Sequence, residues 1–275
     1  MKQRVNEAVV IEMCTKLLEE VGVDEAPVDL RLLGSMLGVS SIAEVDIPEA
    51  GKLIPKTDGN FAIFLNKADS QARKRFTTAH ELGHLLVPGG VSGREIIDYE
   101  VGLFDKEKTI EFLCDVAAAN LLMPTSLFDE FVKGKKFTLQ TIVDISQKFN
   151  VSLEAAALQM VKRSPGKRAV VVWEHMHKPK EEVLLATPTF PGFEDCAPDK
   201  LLRVKYAFGL SRKEHIPKSK SLEESKNVIL SAFEDQKKSI HKSRQVITFG
   251  PQLSIDCECE AIATIAGRVL SIIRR

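Results

Sequence analysis

The most constraining stretch of the sequence is 73–90, RKRFTTAHELGHLLVPGG, because it sets three ionisable side chains among apolar residues. The apolar residues recur at helical spacing, and the terminal Pro-Gly-Gly is typical of a helix stop. Positions i and i+4 of a helix share one face, so His80 and His84 can point at a single ion. Glu81 lies about 100° further around, beside such an ion rather than on it. The stretch therefore predicts an amphipathic helix that carries part of a metal site.

This His-Glu-x-x-His spacing also predicts a chemistry. Zinc lowers the pKa of a bound water molecule to about 7, and Glu81 is placed to accept its proton as the water attacks a carbonyl. That reaction is amide hydrolysis, and the motif is typical of metallopeptidases. Gly83 leaves room for another backbone, and an apolar face is supplied by Phe76, Ala79, Leu82, Leu85 and Leu86. The simpler alternative, two histidines that are satisfied core residues, stays open at this point.

A catalytic zinc site takes three protein ligands and a water molecule, so a third ligand must follow downstream. Val87 and Gly90 stand where the HExxHxxGxxH motif has its glycine and last histidine, which excludes that arrangement. The acidic candidates are Glu95, Asp98, Glu100, Asp105, Glu107, Glu111 and Asp115. Glu111 and Asp115 lie one turn apart on a helix predicted at 107–123, so Glu111 can ligate while Asp115 accepts the outer N–H of a histidine. The alternative is that both are solvated carboxylates near a helix start.

These residues resemble a known family. RKRFTTAHELGHLL, followed by EFLCDVAAANLLMP from position 111, is similar to the ImmA/IrrE family of zinc metallopeptidases. The family pattern is R-x-x-F-[ST]-x-A-H-E-x-G-H and then E-x-x-A-[DN]-x-[FG]-A-A-x-L-L-M-P. The resemblance implies that His80, His84 and Glu111 are the ligands, that Glu81 is the catalytic base, and that Asp115 occupies the acidic or amide position behind them. It implies Zn²⁺ as cofactor, with Mn²⁺ or another divalent ion as the alternative in the cell.

The sequence departs from the common pattern at Cys114, where alanine is usual, and at Ala117, where phenylalanine is usual. These changes bring it closest to the IrrE branch, which acts in the radiation and stress response. That branch implies a zincin-like (gluzincin-type) peptidase domain at 1–125, a helix-turn-helix-like segment at 126–165 and a C-terminal GAF-like α/β domain at 166–275. The expected fold class is therefore α+β. We interpret Cys114 as a small residue in a packed helix rather than a redox sensor.

Periodicity predicts the remaining elements. A hairpin is expected around Asp58-Gly59, and the metal helix is expected to begin after Asp69 or Ser70. Further helices are predicted at about 6–21, 28–37, 139–149, 152–163 and near 221–236, and strands at 169–175, 181–188, 201–208, 245–250 and 252–267.

Composition narrows the class of protein. Lysine plus arginine (38) equals aspartate plus glutamate (38), so no global field favours nucleic acid or a membrane. Apolar runs fall short of the roughly 18 residues of a spanning helix, and the charged N-terminus is unlike a secretory signal, which predicts a cytoplasmic protein. Five cysteines without a CxxC pair fit a reducing compartment. Cys257 and Cys259 are predicted to share one face of a strand.

Two segments outside the motif suggest other functions. Residues 133–168 contain eight basic and two acidic residues, an excess of +6 that favours phosphates. The helix at 152–163 has few long polar side chains at its start, so packing or substrate docking is preferred over DNA reading. In the C-terminal domain, one group of residues is expected either to line a pocket for a small molecule or signal or to form the core. The group is Trp173, His175, His177, Phe190 and Phe193.

The leading expectation is a zinc-dependent endopeptidase. By resemblance, its partner is a Cro/CI-like helix-turn-helix repressor, whose cleavage derepresses DNA-damage or stress-response genes. Two alternatives remain: a DNA-binding regulator with a structural or vestigial metal site, and a peptidase of a mobile element or toxin–antitoxin pair. The substrate is expected to add as an extended strand along the edge 60–67, just before the metal helix. The edge residues are Phe61, Ile63, Leu65 and Asn66.

Overall fold

The computed structural model describes residues 3–91, 99–100, 106–164, 166–185, 198–209, 216–222, 227–235, 239–249, 253–264 and 267–275. It divides the chain into two compact units. The first contains 1–134 and 145–152, and the second contains 135–144 and 153–275. The three-part division predicted from the sequence, with boundaries at 125/126 and 165/166, differs from this one, because the helix-turn-helix-like segment is shared between the units.

The elements of the first unit, in chain order, are β1 (Gln3–Arg4), α1 (Glu7–Val21), α2 (Leu30–Met36), β2 (Val39–Val45), β3 (Gly51–Pro55), β4 (Phe61–Asn66), α3 (Gln71–Leu86), β5 (Tyr99–Glu100), α4 (Lys106–Leu122) and α5 (Thr125–Val132). The helix α6 (Leu139–Phe149) contains the boundary between the units. The second unit continues with α7 (Leu153–Arg163), β6 (Arg168–Met176), α8 (Pro179–Leu185), β7 (Leu201–Phe208), α9 (Val228–Glu234), β8 (His241–Thr248), β9 (Ser254–Ala263) and β10 (Arg268–Arg274).

The helices of the first unit follow the sequence pattern closely. Asn6 caps α1 through its side chain, which accepts a hydrogen bond from the Val9 N–H, and Ser70 caps α3 in the same way at Arg73. The apolar face of α3 packs against α4, and α4 also packs against α1. Leu82, Leu113 and Leu121 lie fully inside this helical core. The helices that carry the candidate site therefore rest on the most buried part of the unit.

The larger sheet described in the first unit has three strands in the order β2-β4-β3, and β1 pairs in parallel with β5 as a separate two-stranded sheet. β4 pairs in parallel with β2 and antiparallel with β3, so both of its edges are occupied. The prediction that 60–67 offers a free edge is therefore wrong. Phe61, Ile63, Leu65 and Asn66 lie on the central strand, and the sequence signal failed because β2 was not recognised as a strand.

The strand with a free edge near α3 is β3. Hydrogen bonds from Lys56 N–H to Asn60 C=O (2.8 Å) and from Asn66 N–H to Ala50 C=O (3.0 Å) fix its ladder with β4. Because bonded and non-bonded pairs alternate in an antiparallel ladder, the backbone groups of residues 51, 53 and 55 point away from β4. Within the described residues no strand pairs with that side.

The sheet of the second unit has five antiparallel strands in the order β7-β6-β10-β9-β8. α9 packs on one face, against β8, β9 and β10, while α7 packs on β6. Cys257 and Cys259 are both buried in the core on the α9 side, which confirms that they share a strand face. The strand predicted at 181–188 is wrong, since residues 179–185 form the short helix α8, and β10 was not predicted. The GAF-like assignment stays a prediction.

A buried carboxylate joins α6 to this sheet. Glu260 on β9 accepts a hydrogen bond from the Leu139 N–H at the start of α6 (2.7 Å) and pairs with Arg274 of β10 (2.7 Å). Arg274 also donates to the Phe137 carbonyl (2.6 Å). Glu260 thus satisfies an otherwise unpaired N–H of the helix and neutralises a guanidinium inside the unit. The first turns of α6 consequently belong to the second unit.

Among the described helices, no single one is both long and apolar enough to cross a membrane. The bent pair Lys108–Leu122 and Thr125–Val132 reaches that length and composition only when the two helices are counted together.

Replacing Glu260 with alanine should destabilise the second unit by about 1–3 kcal/mol, because it leaves the buried Leu139 N–H unpaired and Arg274 with the exposed Glu258 alone. Urea unfolding followed by the fluorescence of Trp173, the single tryptophan, measures this directly. Glu258→Ala is the matched control, since Glu258 pairs with the same Arg274 but is 55% exposed and screened by water. Equal losses in both variants would contradict the structural role of Glu260.

Candidate metal centre

The structure brings His80 and His84 of α3 together with Glu111 of α4. The Nε2 atom of His80 lies 3.2 Å from Glu111 Oε2, and the Nε2 atom of His84 lies 3.5 Å from Glu111 Oε1. One ligand atom from each side chain falls within 4.8 Å of the other two, so the three residues can converge on one ion. The two imidazole rings meet edge to face, with centroids 4.9 Å apart.

Asp115 holds the outer side of His80. Its Oδ1 lies 2.9 Å from His80 Nδ1, so the imidazole can donate to Asp115 while Nε2 is directed at Glu111. Burial by itself lowers the pKa of His80, but the hydrogen bond and charge of Asp115, together with the charges of Glu81 and Glu111, outweigh burial and raise it. A carboxylate behind a ligating histidine fixes its tautomer and ring orientation. Asp115 occupies the position that the sequence assigned to it.

His84 has a different environment. Burial and the charge of neighbouring His80 lower its pKa, and the Gly90 backbone acts against this shift. Its Nδ1 atom is buried and makes no hydrogen bond of ordinary geometry to the described residues. A neutral imidazole is the form that binds a metal ion, and a lowered pKa favours that form.

Glu81 interacts with His80 and Glu111 and also reaches the backbone of β3. It is only 9% exposed, and burial is the main cause of its raised pKa, which the charge of His80 lowers and that of Glu111 raises. A hydrogen bond to the Leu53 backbone also lowers that pKa. The carboxylate therefore lies between the metal helix and the free edge of β3, with a pKa shifted toward neutrality, as suits a general base.

The donor set fits a divalent ion such as zinc. Two imidazole nitrogens and one carboxylate oxygen are standard zinc ligands, and three protein ligands leave one position for water. Zinc binds such atoms at about 2.0–2.2 Å in tetrahedral geometry, which separates neighbouring ligand atoms by about 3.3–3.6 Å. The separations of 3.2 and 3.5 Å between the imidazole nitrogens and Glu111 are close to these values.

Three other residues that the sequence analysis considered as functional candidates lie in the core or at the surface, outside the metal cluster. Cys114 is fully buried, and its pKa is raised by burial and by the nearby carboxylates, which supports the packing interpretation. Trp173 is a core residue that stacks on Phe249 and donates to Ser271 (2.8 Å). His175 lies at the surface end of its strand.

Several candidates cannot be compared with the fold. Phe190 and Phe193 lie outside the described residues, as do the acidic candidates Glu95, Asp98 and Asp105.

Sequence reasoning missed the role of β3. A Cβ atom on Gly51 would lie 2.3 Å from Thr77 Cγ2, so this glycine lets β3 rest directly on α3. The available signal was Pro55: a proline in a strand is confined to an edge or a bulge, which marks β3 rather than β4 as the edge strand.

The comparisons with known proteins agree with this geometry. The IrrE N-terminal-like domain of the Peptidase_M78 family matches residues 46–160. The radiation response metalloproteases IrrE of Deinococcus radiodurans and Deinococcus deserti are each 31% identical to this chain, over 103 and 102 residues. Residues 46–160 are therefore a domain of the ImmA/IrrE type. The aligned segments cover 38% and 37% of this chain, and 31% and 36% of the two relatives, so about a third of each relative is matched.

The ImmA/IrrE match implies a divalent metal in the peptidase domain, and the cluster of His80, His84 and Glu111 is the candidate site. A solved structure described as a Mycobacterium tuberculosis transcriptional regulator is similar over 97% of this chain and 87% of its own length. Its TM-score is 0.52 at 14% identity, which indicates a shared fold.

Purified protein should bind one divalent ion per chain, and Glu111→Ala should lose most of it, because two histidines alone do not complete the ligand set. Elemental analysis after dialysis measures the stoichiometry. Glu20→Ala, a change at an exposed carboxylate on α1, is the control for a lost negative charge. Full occupancy in Glu111→Ala would assign the third ligand to another residue.

Proposed function

We propose that the chain is a zinc-dependent metallopeptidase in which His80, His84 and Glu111 bind the metal and Glu81 is the general base. The observation that carries the proposal is the convergence of the two imidazole Nε2 atoms on one carboxylate, with a buried second carboxylate beside them. A structural ion needs no such extra carboxylate, and a structural zinc site normally has four protein ligands.

The side chains divide the work of amide hydrolysis. A divalent ion bound there supplies a Lewis acid and makes a bound water molecule more acidic. Glu81 accepts the proton of that water and returns it to the leaving amine. Asp115 keeps the His80 ring oriented, and the low exposure around Glu81 strengthens each charge interaction by limiting water.

The free edge of β3 is the proposed binding strand for the scissile segment. The backbone groups of residues 51, 53 and 55 face outward, and the Leu53 backbone already reaches Glu81. A peptide added to this edge gains main-chain hydrogen bonds independent of its side chains. It also brings a carbonyl group close to the base. This assignment replaces the edge originally expected on β4.

The rival function, a DNA-binding regulator, is disfavoured by the surroundings of α7. A recognition helix must present the side chains at its start to base edges. On α7, Glu154 is instead bonded to the Tyr206 hydroxyl and lies 3.6 Å from Arg268. Ala156, Ala157 and Met160 are buried. The start of the helix is thus engaged inside the second unit, and packing or docking is its proposed role.

The proposed substrate is a protein, specifically a Cro/CI-like repressor of stress-response genes. The support is the family relationship to metalloproteases named for the radiation response. The second unit is proposed to dock the repressor or to receive a signal, since it supplies none of the residues of the candidate site.

Glu81→Gln should retain the metal and the fold but lose at least about 100-fold in cleavage rate, because an amide cannot accept the proton. Cleavage of a purified Cro/CI-like repressor and metal content are measured on the same sample. The matched control is Glu44→Gln, a carboxylate of the same unit that pairs with Lys74. Activity close to that of the parent protein would remove Glu81 from the mechanism.

Leu53→Pro should lower repressor cleavage by about tenfold or more while leaving the sheet paired, because the N–H it removes lies on the outer edge of β3 and donates to the Glu81 carboxylate. Ile54→Pro is the matched control: it removes an N–H of the β3–β4 ladder and should cost stability instead. Cleavage kinetics and urea unfolding separate the two effects. Undiminished cleavage by folded Leu53→Pro protein would place the substrate elsewhere.

A further inference from the structure

The helices α3 and α4 approach each other closely at Gly83, beside the metal ligands. A Cβ atom built on Gly83 would lie 3.0 Å from the Cα of Cys114, 3.1 Å from its carbonyl oxygen and 3.2 Å from its Cβ. Separations this short are rarely tolerated by a real Cβ atom. Two of the three atoms are backbone, so no side-chain rotation can relieve the contact. Only the absence of a side chain at position 83 permits the observed approach.

The contact lies between the groups that would hold the ion. On α3, Gly83 falls between His80 and His84, and on α4, Cys114 falls between Glu111 and Asp115. The two helices therefore carry the same arrangement, with two polar residues one turn apart and a small residue in the intervening turn. The distances of 3.2 and 3.5 Å between the imidazole nitrogens on α3 and the Glu111 carboxylate on α4 therefore depend on how closely the helices approach at this contact.

Metal coordination is less tolerant of displacement than helix packing. Ligand distances in a metal site hold within about 0.2 Å, whereas apolar packing accommodates shifts by adjusting side chains. An added methyl group at position 83 would force the backbones apart by a few tenths of an ångström. That displacement is comparable to the whole tolerance of the site.

We propose that Gly83 is a positioning residue that sets the distance between Glu111 and the two histidines, and thereby the affinity of the metal centre. The inference rests on the proposed metal site and deepens it. It predicts that Gly83→Ala weakens zinc binding even though the substitution favours the helix itself. Alanine is the better helix former, so an effect confined to the helix would make Gly83→Ala protein more stable.

The test compares zinc affinity with the stability of the metal-free protein. Gly83→Ala should weaken zinc binding by about 10–100-fold, the range seen when residues that orient metal ligands are changed. Affinity is measured by competition with a chromogenic chelator, and stability by urea unfolding without metal. Cobalt substitution adds a spectroscopic reading, since its visible bands should change with ligand geometry.

Gly34→Ala is the matched control. Gly34 lies in the helix α2, and its Cβ would meet only side-chain atoms, Val39 Cβ at 3.4 Å and Leu82 Cδ2 at 3.5 Å. Its zinc affinity should stay within a factor of about three of the parent protein. Cys114→Val, which adds bulk at the same contact from α4, is the second variant if Gly83→Ala protein does not fold, and it should weaken zinc binding in the same direction.

The outcomes separate this inference from the proposed function. Zinc affinity unchanged in folded Gly83→Ala or Cys114→Val protein overturns the positioning role while leaving the metal site intact. A loss of metal-free stability as large as the loss of zinc affinity also overturns it, since the glycine would then serve only the fold. Absence of zinc binding in the parent protein would instead refute the proposed function.

Discussion

The candidate site depends on the close crossing of α3 and α4. Two histidines on one helix supply two of the three protein ligands of a catalytic zinc site, and the third must come from an element held at a fixed distance. Leu82 of α3 and Leu113 of α4 are buried at this crossing, so the two helices rest on a packed core. The crossing also places Asp115 against His80, so the ligands and the group that orients them share one rigid support.

The second constraint is the position of β3 above α3. Gly51 allows the strand to lie against Thr77, and the strand brings the Leu53 backbone to Glu81. One face of α3 therefore meets α4, and the neighbouring surface meets a strand whose outer edge pairs with no other strand in the described ranges. Metal ligands, base and substrate strand are thus arranged around a single helix. A short motif on this helix therefore predicts a reaction, because the helix contributes to every part of the proposed mechanism.

Much of the site was predictable from the sequence. The i, i+4 periodicity placed His80 and His84 together, and the same rule joined Glu111 to Asp115 once α4 was recognised. Spacing rules of this kind operate within one helix, so they hold without knowledge of the fold. The crossing of the two helices came from the family resemblance, because no periodicity relates residues on separate elements. The N-cap at Ser70 followed from local hydrogen bonding.

Contacts between residues far apart in the chain limited what else could be predicted from the sequence. The hairpin at Asp58-Gly59 was predicted correctly, but β2 pairs in parallel with β4 from a distant part of the chain, and this pairing turned the expected edge into a central strand. The segment 126–165 is divided between two units, and the start of α6 bonds to Glu260, 121 positions away from Leu139 in the chain. The segment 181–188 was misread because its short apolar run, VLL, fits a strand as well as a helix.

The most direct test of the account is X-ray absorption spectroscopy at the zinc edge on protein that carries one zinc ion per chain. The account predicts only nitrogen and oxygen ligands at about 2.0–2.2 Å, with the multiple scattering of two imidazole rings. A sulfur ligand at about 2.3 Å, or fewer than two imidazole rings, would contradict it.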